Sequence, residues 1–112
     1  MKLVTAIVQP GVLNAVQIAL VHHGIHGMTI TEVSGYARQR GHTEVYRGAE
    51  FTIDFIEKVK LEILCDDDEA QGVVEVIVTH ARTGSVGDGK VWVTPVENVI
   101  RIRTGELDSA AV

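Results

Sequence analysis

The chain has 112 residues, 46% of them hydrophobic and 22% charged, with a formal net charge of −5. That is enough apolar material for one domain with a single closed core. The negative balance argues against a direct nucleic-acid or anionic-membrane surface, because either would call for a basic one.

No apolar run approaches the roughly 18 residues that a membrane helix needs. The opening MKLVTAIVQP reaches its proline too soon for a secretory signal. A single cysteine, Cys65, leaves no internal disulfide and reads as a small buried strand residue, in keeping with a cytoplasmic setting.

Residues 2–8, KLVTAIV, are β-branched and apolar with hardly a polar break, the pattern of a strand covered on both faces. Pro10 and Gly11 end it. Residues 12–23 then place Val12, Ala15, Val16, Ala19 and Leu20 on one helical stripe, and Gly24 stops the helix. The histidines around that stop, His22, His23 and His26, read as exposed helix-end residues rather than metal ligands, since Gly24 breaks the spacing between 22 and 26. Residues 28–34, MTITEVS, are a second strand.

Residues 35–55, GYARQRGHTEVYRGAEFTIDF, join two hydrophobic stretches and belong to neither. Apolar residues recur there at neither helical nor strand spacing, so the segment reads as a long loop. Connections of this length are mostly functional or disordered. Large side chains at Glu44, Tyr46, Arg47 and Phe51 are more than a spacer needs, which suggests an arm that touches a partner.

Residues 59–65, VKLEILC, alternate Val59, Leu61, Ile63 and Cys65 against Lys60, Glu62 and Leu64, a third strand. Asp66, Asp67, Asp68 and Glu69 follow directly before AQGVVEVIVTHA (70–81). They read as first-turn carboxylates of a second helix; as metal ligands they lack calcium-loop spacing. His80 ends that helix, where a cation suits the dipole.

Residues 82–90, RTGSVGDGK, combine three glycines with Asp88 and Lys90, a composition that lets a backbone approach an anion. Gly84 to Lys90 even fits the GxxxxGK spacing of a P-loop. However, Val91 stands where a magnesium-binding hydroxyl belongs, and the loop runs from helix to strand rather than the reverse. Residues 91–96, VWVTPV, are a fourth strand, with Pro95 at an edge or end.

In 99–103, VIRIR, an extended segment would set Arg101 and Arg103 on one face as two guanidinium forks suited to a di- or triphosphate. The alternative is that they are solvated or pair with Glu97 and Glu106. The closing ELDSAAV reads as frayed. Apart from Lys2, every lysine and arginine lies between Arg38 and Arg103, which points to a compact anion site.

The order strand, helix, strand, strand, helix, strand is the ferredoxin-like βαββαβ arrangement, an α+β fold with both helices on one face of an antiparallel sheet. Because the first strand is apolar on both sides, the open face is expected to pack against further copies in a closed homo-oligomer.

GMTITEV (27–33), RGHTEVYRGAEF (40–51), KVKLEI (58–63), ARTGSVGDGKVWV (81–93) and VIRIRTGE (99–106) together resemble the PII signal-transduction proteins of nitrogen regulation, nearly from end to end. The resemblance implies one domain, 1–112, with an effector loop at about 37–55, a phosphate loop at about 82–90 and a C-terminal segment at about 97–112. It further implies a homotrimer with its sheets inward. ATP and ADP would compete for each inter-subunit cleft, and ATP with Mg2+ would admit 2-oxoglutarate.

By the same resemblance, the nucleotide would meet Thr29, Ala37, Arg38, Glu62, Leu64, Gly87, Asp88, Gly89, Lys90, Arg101 and Arg103. The 2-oxoglutarate would meet Gln39, Gly41, Lys58 and Gly87, with Gln39 also on the magnesium. Glu44, Tyr46, Arg47 and Phe51 would dock on an ammonium channel or on nitrogen-metabolism enzymes, bringing a cytoplasmic protein to the membrane where the partner is a channel.

Phe51 stands where many relatives carry the tyrosine that receives a nucleotidyl group, and Ala49 where some carry a phosphorylatable serine, so neither modification is expected at those positions. Tyr46 is not the usual acceptor. Ala37 replaces a glycine and disfavours any positive φ there. Arg40 replaces lysine, a mild change, and Glu57 adds a negative charge beside Lys58. The expectation is a non-enzymatic sensor. A slow nucleotide phosphohydrolase using Glu62 or Asp88 as base, and a metal-binding ferredoxin-like module built on His22 and His26, are the rivals.

Overall fold

The computed structural model describes residues 1–36 and 55–112, and between them two short strands, Glu44–Tyr46 and Ala49–Phe51. In chain order the elements are β1 (Lys2–Val8), α1 (Leu13–His22), β2 (Thr29–Gly35), β3 (Glu44–Tyr46), β4 (Ala49–Phe51), β5 (Ile56–Cys65), α2 (Ala70–Ala81) and β6 (Gly89–Pro95). Four strands form an antiparallel sheet in the order β2-β5-β1-β6, while β3 and β4 pair only with each other. This is the ferredoxin-like α+β arrangement expected from the sequence, with the long connection between β2 and β5 in the expected place.

Period-2 alternation decides which side of the sheet is the core. Val4, Ala6 and Val8 of β1 and Val59, Leu61, Ile63 and Cys65 of β5 are buried beneath the helices, where they meet Val16 and Leu20 of α1 and Val73 and Ile77 of α2. Fully burying such a side chain contributes about 1.5–3 kcal/mol, so this layer holds the domain together. The α1 stripe is narrower than its spacing suggests: Val16 and Leu20 are buried, but Ala15 faces out.

Residues directly opposite in register share a face. The other side of the sheet therefore carries Thr5 between Glu62 and Trp92, Ile7 between Lys60 and Lys90, and Leu3 between Leu64 and Thr94. Thr5 is itself buried, whereas Leu64 is 39% and Trp92 43% exposed. Apolar groups left on that side are what a packing partner would cover.

Several expectations are corrected. The 35–55 stretch is not wholly loop, because Glu44 pairs with Phe51, Val45 with Glu50 and Tyr46 with Ala49 in a small hairpin. The four acids do not occupy the first turn of α2. The helix begins at Ala70, Glu69 caps it without a side-chain bond, and the backbone amide of Glu69 donates to the Asp66 carbonyl at 3.0 Å. Asp66, Asp68 and Glu69 crowd within 4.8 Å of one another ahead of it.

Residues 99–103 are not a strand: Ile100 bridges to Leu107, and the chain turns between them. The final residues are not frayed either, since Asp108–Ala111 form a short 3-10 helix. His80 does end α2, with Nδ1 lying 2.8 Å from the Val76 carbonyl, so that nitrogen carries the proton and donates.

Candidate functional site

The turn that leads from α2 into β6 is shaped by three glycines and one carboxylate. Gly84, Gly87 and Gly89 all have positive φ, at 86°, 96° and 104°. At Gly89 the need is absolute, because a Cβ there would stand 1.8 Å from the Ile7 carbonyl oxygen. Asp88 closes the loop from inside. Its carboxylate accepts the Thr83 hydroxyl, the Thr83 amide at 2.8 Å and the Gly84 amide at 2.9 Å.

Those bonds hold the Asp88 carboxyl below its ordinary value, the Thr83 hydroxyl and amide first, then the Gly84 amide and the charge of Lys58. Asp88 therefore builds the loop, and any part it plays at a phosphate runs through the backbone it fixes. Lys58 adds a tie from β5, donating its ammonium to the Gly87 carbonyl.

Against this loop lies a cleft of about 580 Å3, lined by Ile7, Gly35, Tyr36, Ile56, Lys58, Ser85, Gly87, Asp88, Gly89, Lys90 and Trp92. It presents two ammonium groups and one carboxylate already engaged by amides. Its chemistry suits a polyanion. Tyr36 and Phe55 meet edge to face, centroids 6.3 Å apart, where the described chain leaves and rejoins the 37–54 segment.

A second cleft, of about 740 Å3, holds Thr29, Glu62 and Leu64 together with Leu3, Ile25, His26, Met28 and Val96. The two clefts sit at opposite ends of β5. Lys58 and Leu64 are six residues apart, which in a strand is about 20 Å. Glu62 lies 3.7 Å from the Lys60 ammonium.

Arg101 and Arg103 line neither cleft. They sit in a tight turn in which the Arg101 amide donates to the Glu106 carbonyl at 2.9 Å and the Gly105 amide to the Arg101 carbonyl at 2.8 Å. The Arg101 guanidinium pairs with Glu106 at 3.1 Å, while Arg103 is exposed. The single chain thus gathers Lys58 and Gly87–Lys90 in one place, Thr29, Glu62 and Leu64 in another, and the arginines in a third.

Ala37, Arg38, Gln39, Arg40, Gly41, Arg47 and Asp54 lie outside the described residues. Of Glu44, Ala49, Glu50, Tyr46 and Phe51, the backbone pairing alone is described. Reading the sequence missed Trp92, Tyr36 and Ile7 in the first cleft. The alternation that puts Lys90 and Trp92 on one face could have found Trp92; the proximity of Tyr36 depends on tertiary register.

The model of the family described as Nitrogen regulatory protein P-II matches residues 1–106. The chain belongs to that family. It is 54% identical to "Nitrogen regulatory protein P-II" of Nostoc punctiforme and 52% identical to the protein of the same name from Synechocystis, over 112 residues and the whole of each chain. It is also 54% identical to "Nitrogen regulatory protein P-II 1" of Escherichia coli K12, again end to end. Membership of a P-II family of regulators supports a signalling role in nitrogen regulation.

Proposed function

We propose that this chain is a non-enzymatic P-II sensor that binds ATP or ADP competitively in clefts between three copies, and 2-oxoglutarate alongside Mg-ATP. The observation that carries this reading is the glycine turn at 83–90. Asp88 fixes it, and Lys58 and Lys90 stand over it, a preformed seat for a polyphosphate.

The trimer is supported by separation. One ligand would reach the Lys90 cleft and the Thr29, Glu62 and Leu64 cleft together only where two copies meet, and the partly exposed Leu64 and Trp92 are on a face that would bring them together. Arg103, exposed on that turn, would then reach the charge of a bound nucleotide, and Arg101 would do so by leaving Glu106.

Magnesium fits this site only as a companion of the phosphates, since Lys58 and Lys90 would repel a bare cation and the Asp88 oxygens are engaged. Gln39 would hold it together with the phosphates, and its charge would favour binding of a second anion, the keto acid, beside them. Lys58 would pair with the distal carboxylate of 2-oxoglutarate, and Arg38 and Gly41 would close around the ligands. Occupancy would then reposition the 37–54 segment, whose Glu44, Tyr46, Arg47 and Phe51 would engage an ammonium channel or nitrogen-metabolism enzymes. Among the described residues no helix is long and apolar enough to cross a membrane, so membrane recruitment would come through such a channel.

The non-enzymatic part is supported by the state of the two candidate bases: Glu62 faces Lys60, and Asp88 is tied down by its own loop. Phe51 has no phenolic oxygen for a nucleotidyl group. Calorimetric titration with Mg-ATP is expected to show binding that 2-oxoglutarate strengthens, with the reciprocal effect equal in size. Absence of nucleotide heat would refute the sensor, and phosphate release abolished by Lys90→Ala would favour the phosphohydrolase.

A further inference from the structure

One wall of the Thr29, Glu62 and Leu64 cleft is made by residues beyond the stretch that the family model matches: Ser109, Ala111 and Val112. They are fixed there rather than draped. The Asp108 amide donates to the Val99 carbonyl at 2.8 Å, and the Val99 amide returns a bond to Asp108 Oδ1 at 3.1 Å. The Ser109 hydroxyl donates to Asp66 Oδ1, closing the segment onto the end of β5.

Asp108 also has a φ of 51°, the left-handed region, the only non-glycine to do so among the described residues. A strained conformation persists only where surrounding bonds determine it, and here the two bonds with Val99 do so. The half-buried Ala111 lines the cleft together with Leu3, Met28 and Leu64. Apolar walls, with His26, Thr29, Glu62, Asp66 and Glu69 as polar groups at their margin, suit a flat, uncharged heteroaromatic base.

We propose that residues 108–112 are a wall of the base pocket, latched by Ser109 on Asp66, and that they set how tightly the purine of a bound nucleotide is held. This rests on the nucleotide-sensor reading. It assigns the base to this cleft of one copy and the phosphates to the glycine turn of a neighbouring copy, so the two contributions separate experimentally.

The test is calorimetry of ADP and of inorganic tripolyphosphate on the wild-type chain and on Ala111→Trp, Ser109→Ala and Ser109→Thr. Ala111→Trp, which fills the cleft, should weaken ADP at least about tenfold and leave tripolyphosphate within about twofold. Ser109→Ala should weaken ADP about threefold, and Ser109→Thr, which keeps the hydroxyl, should restore it. Should Ala111→Trp fail to fold, the Ser109 pair makes the same comparison.

Equal ADP affinity in wild type and variants overturns the inference. So does an equal loss of both ligands, since the segment would then only prop the fold. Failure of ADP to bind the wild-type chain refutes the sensor reading itself, and the inference with it.

Discussion

The glycine turn at 83–90 and the arginine turn at 101–106 were both expected to meet phosphate, and they are built in opposite ways. The first is closed by backbone geometry that only glycine permits and by a carboxylate that bonds its own amides. Lys90 is left over the cleft, while Lys58 ties the Gly87 carbonyl from β5. The second is closed partly by the cation itself, because Arg101 pairs with Glu106. A ligand reaching Arg101 must compete with that pair, whereas a ligand reaching the glycine turn finds the seat already made. Preorganisation is thus concentrated at one turn and adjustability at the other.

The sharpest way to break this contrast is Gly89→Ala. The added Cβ meets the backbone of β1 and the φ of 104° is hostile to it, so the loop and the start of β6 must move. A stability loss of about 3 kcal/mol is expected in denaturant unfolding, together with loss of ATP binding.

Asp88→Ala should be milder for the fold and still severe for the ligand, lowering ATP affinity about tenfold in calorimetry while the main melting transition holds. The pH dependence follows from the same group. Its folded value is depressed, so the loop bonds are fully present above the ordinary carboxylate range and are lost as pH falls through the lower folded value. Loop closure, followed by amide chemical shifts at Thr83 and Gly84, should stay flat through the ordinary aspartate value of about 3.9 and fail only below it. Failure near pH 6 would contradict it.

Glu106→Gln is the smallest change and tests the other turn. Exposed ion pairs contribute about 0–1 kcal/mol, so freeing Arg101 should raise ATP affinity by no more than a few fold. A large loss instead would mean that Glu106 is needed to present the arginine.

Much of this was legible in the residues. The β5 alternation gave its buried and open faces, and the glycines with Asp88 and Lys90 marked the turn, because both are local rules of backbone geometry. The β3–β4 hairpin was not legible: strands of three residues are too short to establish a period. VIRIR misled for the converse reason. Its β-branched residues have strand propensity, yet Gly105 at a φ of 72° and the Arg101 to Glu106 bonds fold it into a turn. The ordering of 107–112 was invisible because it depends on Asp66, more than forty residues away along the chain. The division of the two clefts between opposite ends of one sheet could not be read either, since it exists only once register is set.

That division makes a direct experiment available. Chains carrying Lys90→Ala and chains carrying Leu64→Arg should each bind ADP poorly alone, one lacking the phosphate end and the other the base end. Co-refolded as a mixture, they should recover a fraction of ADP sites, formed where an intact glycine turn of one copy meets an intact base pocket of another. Calorimetry of the mixture showing no more binding than its parts would mean that each site lies within a single copy, contrary to the geometry proposed for the ligand.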